Sequence, residues 1–586
     1  MRDPLGYSPL DHSLNQIRLL RLECQGGEGT QANILTAKLE VHALQACPDF
    51  DAVSYAWGGS SRHNIFIDGG EASVTPNLHA ILQVLQQVSD HYRFLWVDAL
   101  CINQQNLDER SSQVTLMREI YTKASTVHIW LGRGDDSTVE TLRSVDRAGR
   151  RPGSDLADSH LLQGEIDGLS SSNLEKVFRN TWWDRLWTVQ EAVMARNARA
   201  HFGQHAVHFP RLLMGILAIF RLRDQTRPGQ TLPYYMMRLA MKFSAPILAA
   251  SKPDRTEFER LPDLLAALRG SKVTVPHDMI YGILGLLPPQ LGVSPDYTKP
   301  LAEVYEDFTL RVLKHEKSLD VLALGGMHGG RSTGLPSWVP VYEKASPFLF
   351  RATSGFDASR TSRSDAILGY PEAIVQQKDG GRIELSAHIM HTVEIVLSPC
   401  PQDIPGDFLR ADTDTRAHHI DRLQQRLCEC IFKLHHSSRS LDDTIALVWR
   451  TLQAGTTLSE RLSQQGQQFR TWLFAQHPEK YSHEYDAMLA TFLGSKQCRL
   501  LAIKDKDVIG VVSGMVIEGD VLAILAGAST PYLLREKKIE GQSAYELVGH
   551  VFVSGVMLGE AVTDAATARN CDPQDVTGVF ERITVV

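Results

Sequence analysis

Arg93-Phe94-Leu95-Trp96-Val97-Asp98 is a compact apolar run that closes on an acid, and Thr126-Val127-His128-Ile129-Trp130-Leu131-Gly132 is a second one that closes on glycine. Runs of this length, bounded by turn residues, read as buried strands. Between them Val114, Met117, Ile120 and Tyr121 recur at helical spacing, behind Asp108 and Glu109, which suit the positive end of a helix. Strand, helix, strand is a crossover unit, so the two runs are expected as parallel neighbours in one sheet. Ligands of parallel sheets gather outside the carboxyl ends of the strands. Asp98, Cys101 and Asn103 fall there.

Upstream, residues 17–22 and 51–55 read as strands, the second leading into Trp57-Gly58-Gly59. Residues 64–67 and 72–75 flank Asp68-Gly69-Gly70, a hairpin composition. Thr75-Pro76 then opens a helix with Leu78, Ile81, Leu82, Leu85 and Val88 as its buried stripe. Downstream, Trp183, Trp187, Glu191 and Met194 repeat at three or four residues, which predicts one helical face. Past Pro210 amphipathic segments dominate, and from Cys498 short β-rich runs with glycine turns predict a small antiparallel barrel or sandwich packed on helices. The expected layout is an α/β unit over residues 1–205, a helical middle region over 206–345, a loop-rich and helical region over 346–497 and a β-rich region over 498–586.

With 586 residues, 43% of them apolar and 22% charged, the chain has the composition of an ordinary soluble protein of several packed units. Its 60 basic residues against 68 acidic ones leave a net charge of -8, which argues against a nucleic-acid binder. The first ten residues lack the basic and apolar regions of a secretory signal, and the apolar tract 232–250 is broken by Arg238 and Lys242. A cytoplasmic protein with no membrane span is expected. The eight cysteines are scattered without metal-site spacing, and no metal or cofactor is expected. The glycine-rich stretch 325–330 reads as a plain loop. Serine-elbow, phosphate-loop and zinc-helix signatures are missing.

Four residues admit two readings each. Glu191, a carboxylate beside Trp187 on an apolar face, either has a raised pKa suited to catalysis or is neutralised by Arg185 or Arg196. Trp57 is a stacking platform at a strand end or a core aromatic. Asp98 is a ligand group or a turn cap, and Asn103 lines a site or satisfies its own loop.

Ser54-Tyr55-Ala56-Trp57-Gly58, Pro76-Asn77-Leu78, Leu95-Trp96-Val97-Asp98-Ala99-Leu100-Cys101-Ile102-Asn103-Gln104, Glu109-Arg110 and the block from Trp183 through Arg185 and Trp187 to Gln190-Glu191 resemble the heterokaryon-incompatibility domain of filamentous fungi. Later blocks, among them Asp278 with Tyr281, Leu335 to Pro340 and Val548-Gly549, are similar to the long stand-alone members of that family, and residues 346–490 match poorly. Val275-Pro276-His277-Asp278-Met279 and Trp338-Val339-Pro340-Val341-Tyr342 depart from the family's charged versions of those blocks.

The resemblance implies non-self recognition and cell death, and a distant kinship to Toll/interleukin-receptor domains with a parallel sheet. Some of those domains cleave NAD with a helical glutamate, whose counterpart here is Glu191. It thus implies Glu191 as the essential acid and NAD as substrate rather than cofactor; around it the site is read with Glu191 and Asp98 as catalytic groups and Trp57, Asn103, Trp187 and Cys101 as substrate-binding. Two alternatives stand beside that reading: an enzyme of natural-product biosynthesis using the same cleft for a cyclisation or aldol-type step, and a non-catalytic recognition module. The expected partner is a small molecule, with self-association left open.

Overall fold

The computed structural model describes residues 6–23, 35–58, 61–87, 93–150, 171–178, 180–226, 242–243, 260–325, 334–343, 358, 376–378, 381–399, 413–453, 469–475, 498–503, 508–513, 515–569 and 577–586. Most of the glycine-rich stretch 325–330 and of the tract 232–250 lies outside them. The chain divides into two compact units: residues 1–227, 231–259 and 270–300 form one, and residues 228–230, 260–269 and 301–586 the other.

The first unit is built on a nine-stranded mixed sheet of β1 (Gln16–Leu22), β2 (Thr36–Ala43), β3 (Asp51–Tyr55), β4 (His63–Ile67), β5 (Gly70–Val74), β6 (Arg93–Trp96), β7 (Val127–Trp130), β8 (Ala198–Phe202) and β9 (His205–His208), in the order β5-β4-β2-β1-β6-β3-β7-β8-β9. Its helices are α1 (Pro76–Gln87), α2 (Asp98–Cys101), α3 (Leu107–Lys123), α4 (Asp136–Gly149), α5 (Ser171–Phe178), α6 (Trp187–Val193) and α7 (Phe209–Thr226). The expected hairpin is present, with Asp68 and Gly69 both at positive φ in the two-residue turn between β4 and β5. Thr75 Oγ1 accepts from the Leu78 amide at 3.4 Å, so the expected cap and first-turn proline start α1 as the sequence demands.

One sheet contains both apolar runs, but they are not neighbours. β3 lies between them, parallel to both, with Asp51 opposite Leu95 and Tyr55 opposite Trp130. A helix about 10 Å across covers roughly two strand spacings, so the α3 crossover can skip one strand. β3 is buried along its whole length, which suits the central position. The sheet is also mixed rather than parallel throughout: β6, β3, β7 and β8 run parallel, while β1 is antiparallel to both β2 and β6.

The predicted stripe from Trp183 to Met194 is broken. Thr181–Asp184 is a single 3-10 turn capped by Asn180, Arg185 is extended, and α6 begins at Trp187. The break is fixed by a short pairing with the segment before Pro300: the Leu186 amide donates to Lys272 O at 3.2 Å, and the Lys272 amide to Asp184 O at 2.7 Å.

The second unit holds α8 (Leu261–Leu268), α9 (Leu301–Glu316), α10 (Thr413–Leu434), α11 (Leu441–Gln453) and α12 (Glu560–Ala568). Its strands are β10 (Gln376–Lys378), β11 (Arg382–Leu397), β12 (Cys498–Ile503), β13 (Val508–Ser513), β14 (Val521–Leu525), β15 (Tyr532–Ile539), β16 (Gln542–Val553) and β17 (Glu581–Val585). β11, β12, β13, β16, β15 and β14 pair in turn and β14 returns to β11, closing an antiparallel barrel. Alternation along β12 serves two cores. Leu501 and Ile503 face the barrel interior with Leu522, Leu533 and Val551, while Leu500 and Ala502 face the layer of Leu427, Val448 and Trp449 from α10 and α11. The closing strand β11 alternates equally clearly, yet it falls in the region read from sequence as loops and helices.

In the first unit, α4 and α7 meet at two glycines. A Cβ on Gly215 would lie 2.0 Å from Val145 O, and one on Gly149 would lie 2.0 Å from Arg211 O. Neither backbone can yield without separating the helices. Gly215→Ala is therefore expected to lower stability by about 3 kcal/mol in urea denaturation; an unchanged midpoint would show that the helices are not in this close contact.

Candidate functional site

The carboxyl end of β3 gathers the groups singled out by sequence with several that were not. Ser54 is fully buried, and its hydroxyl donates to Glu191 Oε2. The Trp182 indole in turn donates to Ser54 Oγ at 2.7 Å. One residue on, Tyr55 O accepts from Arg185 Nη1 at 2.7 Å. Trp57, beyond the strand end, is 39% exposed; its indole donates to Asp98 Oδ2 at 2.9 Å, and the Arg185 guanidinium stands 5.7 Å over its ring. Asp98 opens α2 at the end of β6 and is half-buried, also accepting from the Ala99 amide.

Among the described residues, neither Arg185 nor Arg196 forms an ion pair with Glu191. Burial pushes Glu191 up to about 7, and the charge of Asp98 adds to the rise, against Arg185 and the Ser54 hydroxyl, which favour the ionised form. Burial also raises Asp98, opposed by Arg185. The two acids are thus electrostatically coupled, with Arg185 as the common counter-charge. Tyr121 of α3 completes the cluster. Its hydroxyl is buried without a hydrogen-bond partner among the described residues, and Glu191 and then Asp98 are the charges that most raise its pKa beyond the effect of burial.

The other residues named from sequence do different work. Cys101 is sealed in the core, its thiol directed back at Leu95 O, and burial raises it to about 12. Asn103 Oδ1 accepts from the Gln105 amide at 3.1 Å, and its own amide donates to Glu109 Oε1 at 2.7 Å. Glu109 is paired through both oxygens with the buried Arg18, at 2.6 and 3.0 Å, and Arg18 also donates to Cys101 O. That pair clamps the loop that carries Asp98. Trp187 donates to Asp278, which also accepts from the Tyr297 hydroxyl at 2.8 Å, so it anchors the start of α6 rather than facing the acids.

Sequence reasoning missed Ser54, Trp182 and Tyr121, and weighed Arg185 only as a neutralising partner. Ser54 carried a usable signal, because a hydroxyl on a strand buried along its whole length needs a partner. Among the described residues no group of three or more His, Cys, Asp or Glu side chains could hold a metal ion, and no helix is long and apolar enough to cross a membrane.

Residues 50–191 match the model of the family described as heterokaryon incompatibility protein (HET). Those residues are homologous to the HET domain family. Its match spans β3, α2, α3 and α6 and ends on Glu191, so every residue of the acid cluster lies inside it. Over 634 aligned residues the chain is 23% identical to "Heterokaryon incompatibility protein 6, OR allele" of Neurospora crassa, covering 88% of this chain and 90% of that relative. No solved structure matches the chain.

Glu191 is 4% exposed and has a raised folded-state pKa, which ties it to stability in a definite direction. Below its unfolded value, near 4.5, both states hold the proton; between there and about 7 only the folded state does, so stability falls as pH rises through that window. Glu191→Gln mimics the protonated acid. It is expected to be more thermostable than wild type at pH 8, by up to about 3 kcal/mol, with the gap closing by pH 4. A variant less stable at every pH would mean that Glu191 is a structural acid.

Proposed function

We propose that this protein acts in fungal non-self recognition and that its HET domain hydrolyses the N-glycosidic bond of a nicotinamide dinucleotide. The observation that carries the chemical part is the pair Glu191 and Asp98, raised in pKa at the carboxyl ends of β3 and β6, beside the exposed Trp57 ring and Arg185. The name of the Neurospora relative and the HET match support the biological part.

In this reading the nicotinamide or adenine ring rests on Trp57, and the ribose lies over the acids. The bond from C1′ to the pyridinium nitrogen breaks with its electron pair going to nitrogen. Nicotinamide therefore leaves neutral and needs no acid. Ionised Glu191 offsets the positive charge that develops on the ribose, as carboxylates do in glycoside cleavage. Water then bonds to C1′, and the proton it loses passes to a carboxylate and on to solvent. Ser54, donating its hydroxyl to Glu191, keeps that carboxylate oriented.

Incubation with NAD, followed by chromatography and mass spectrometry, is expected to show nicotinamide and ADP-ribose. The rate should rise with pH through about 7 as Glu191 ionises. Asp98→Asn removes a like charge and should move that midpoint down, while Arg185→Met removes a counter-charge and should move it up. Glu191→Gln should lose on the order of 100-fold or more. A folded Glu191→Gln protein with undiminished release, or wild type that leaves NAD intact, would remove the hydrolytic reading.

A further inference from the structure

Beside the acid cluster lies a group of side chains that bond cleavage at C1′ does not use. His63 is the first residue of β4 and is exposed; His79 sits in the first turns of α1 and is half-buried; their rings stack at 4.7 Å and 27°. Arg133 is exposed in the loop after β7. Two contacts place this group next to the site. Tyr55 of β3 pairs with Trp130 of β7 in parallel, so the backbones leading to Trp57 and to Arg133 leave neighbouring strands at the same end of the sheet. Asn77 Nδ2, in the first turn of α1, donates to Ala56 O at 2.9 Å, fastening that turn beside Trp57.

The group is unbalanced in charge. Among the described residues none of His63, His79 and Arg133 is held in an ion pair, and the first turn of α1 contains no acid. The carboxylate of Asp135, two residues beyond Arg133, is already taken up by Ser137, Thr138 and Lys176. Burial, then His63, then Arg133 hold His79 below the ordinary imidazole pKa, so Arg133 is within electrostatic reach of the stacked pair. The Arg133 guanidinium is a fixed cation that no described acid balances, and a bound anion would balance it. Both imidazoles also bring N–H donors, and Arg133 brings the planar fork that suits phosphoryl oxygens.

We propose that His63, His79 and Arg133 form a phosphoryl-binding subsite, and that the ligand it takes is a nucleotide whose phosphates lie on this rim while a ring rests on Trp57. The proposal rests on the acid cluster's being the place where the nucleotide's ribose reacts, and it adds how the rest of the molecule is held. It predicts selection against free nucleosides, which carry the same ring and sugar but no phosphate.

The test is calorimetric titration of the full chain with inorganic pyrophosphate, ADP-ribose and ribose. Wild type is expected to bind pyrophosphate and, more tightly, ADP-ribose, and to ignore ribose. Arg133→Gln and His79→Gln, each checked for folding by circular dichroism, should weaken pyrophosphate and ADP-ribose by about tenfold, while Glu191→Gln should bind pyrophosphate as wild type does. In NAD turnover Arg133→Gln should raise KM with kcat kept. Pyrophosphate binding that depends on Arg133 and His79, with ADP-ribose tighter, upholds the subsite even where no nicotinamide is released; that result would retire the hydrolytic reading alone. No pyrophosphate binding at millimolar concentration, binding indifferent to both substitutions, or ADP-ribose binding no tighter than pyrophosphate would overturn the subsite.

Discussion

Four consecutive residues at the carboxyl end of β3 each hold a different part of the first unit. The Ser54 hydroxyl reaches Glu191 on α6, Tyr55 O holds Arg185, Ala56 O holds Asn77 at the start of α1, and the Trp57 indole holds Asp98 at the start of α2. Three of these residues are buried, so the contacts form where competing water is scarce and an unmade one is costly. The central position of β3 goes with its burial along the whole strand, and the site follows from that position. A strand at the edge of the sheet could not reach groups on both sides.

Two buried carboxylates show how differently the same chemistry is used. Glu109 is met oxygen for oxygen by Arg18 and by the Asn103 amide, and the result is a rigid clamp under the Asp98 loop. Glu191 receives one hydroxyl and shares a distant guanidinium with a second acid. The first arrangement spends its charge on order, and the second leaves charge free for a reactant. Buried acids that lack a dedicated partner are costly to fold, which is why they concentrate where a ligand meets them.

Much of this was legible in the chain itself. The alternating and continuous apolar runs located the strands, Asp68-Gly69 located the hairpin, and the Trp-rich block with Glu191 identified the helix that bears the acid. Strand order was not legible, because periodicity records which face is buried but not which strand lies alongside. β3 and β7 look alike to that test, and pairing decides between them only in three dimensions. The break at Arg185 was hidden for a similar reason: it depends on Lys272, almost ninety residues away in sequence. β11 was passed over although its alternation is plain, since it stands apart from the glycine-punctuated strands it joins. Within the site, charged and aromatic residues announced themselves, whereas Ser54 and Tyr121 matter only through what they face.

The helix that ends the HET match is gripped from beyond it. Asp278 accepts from Trp187 at one end of α6, and the Gly285 amide donates to Gln190, next to Glu191, at 3.0 Å. A Cβ on Gly285 would lie 2.9 Å from that same Gln190 oxygen, so a side chain there would push the Gln190 amide aside. The heritable module is therefore longer than the stretch that marks it. Recombination with its junction just past Glu191 would deliver the acid without its grip, and natural exchange of this domain between chains should carry the segment up to Pro300 along with it.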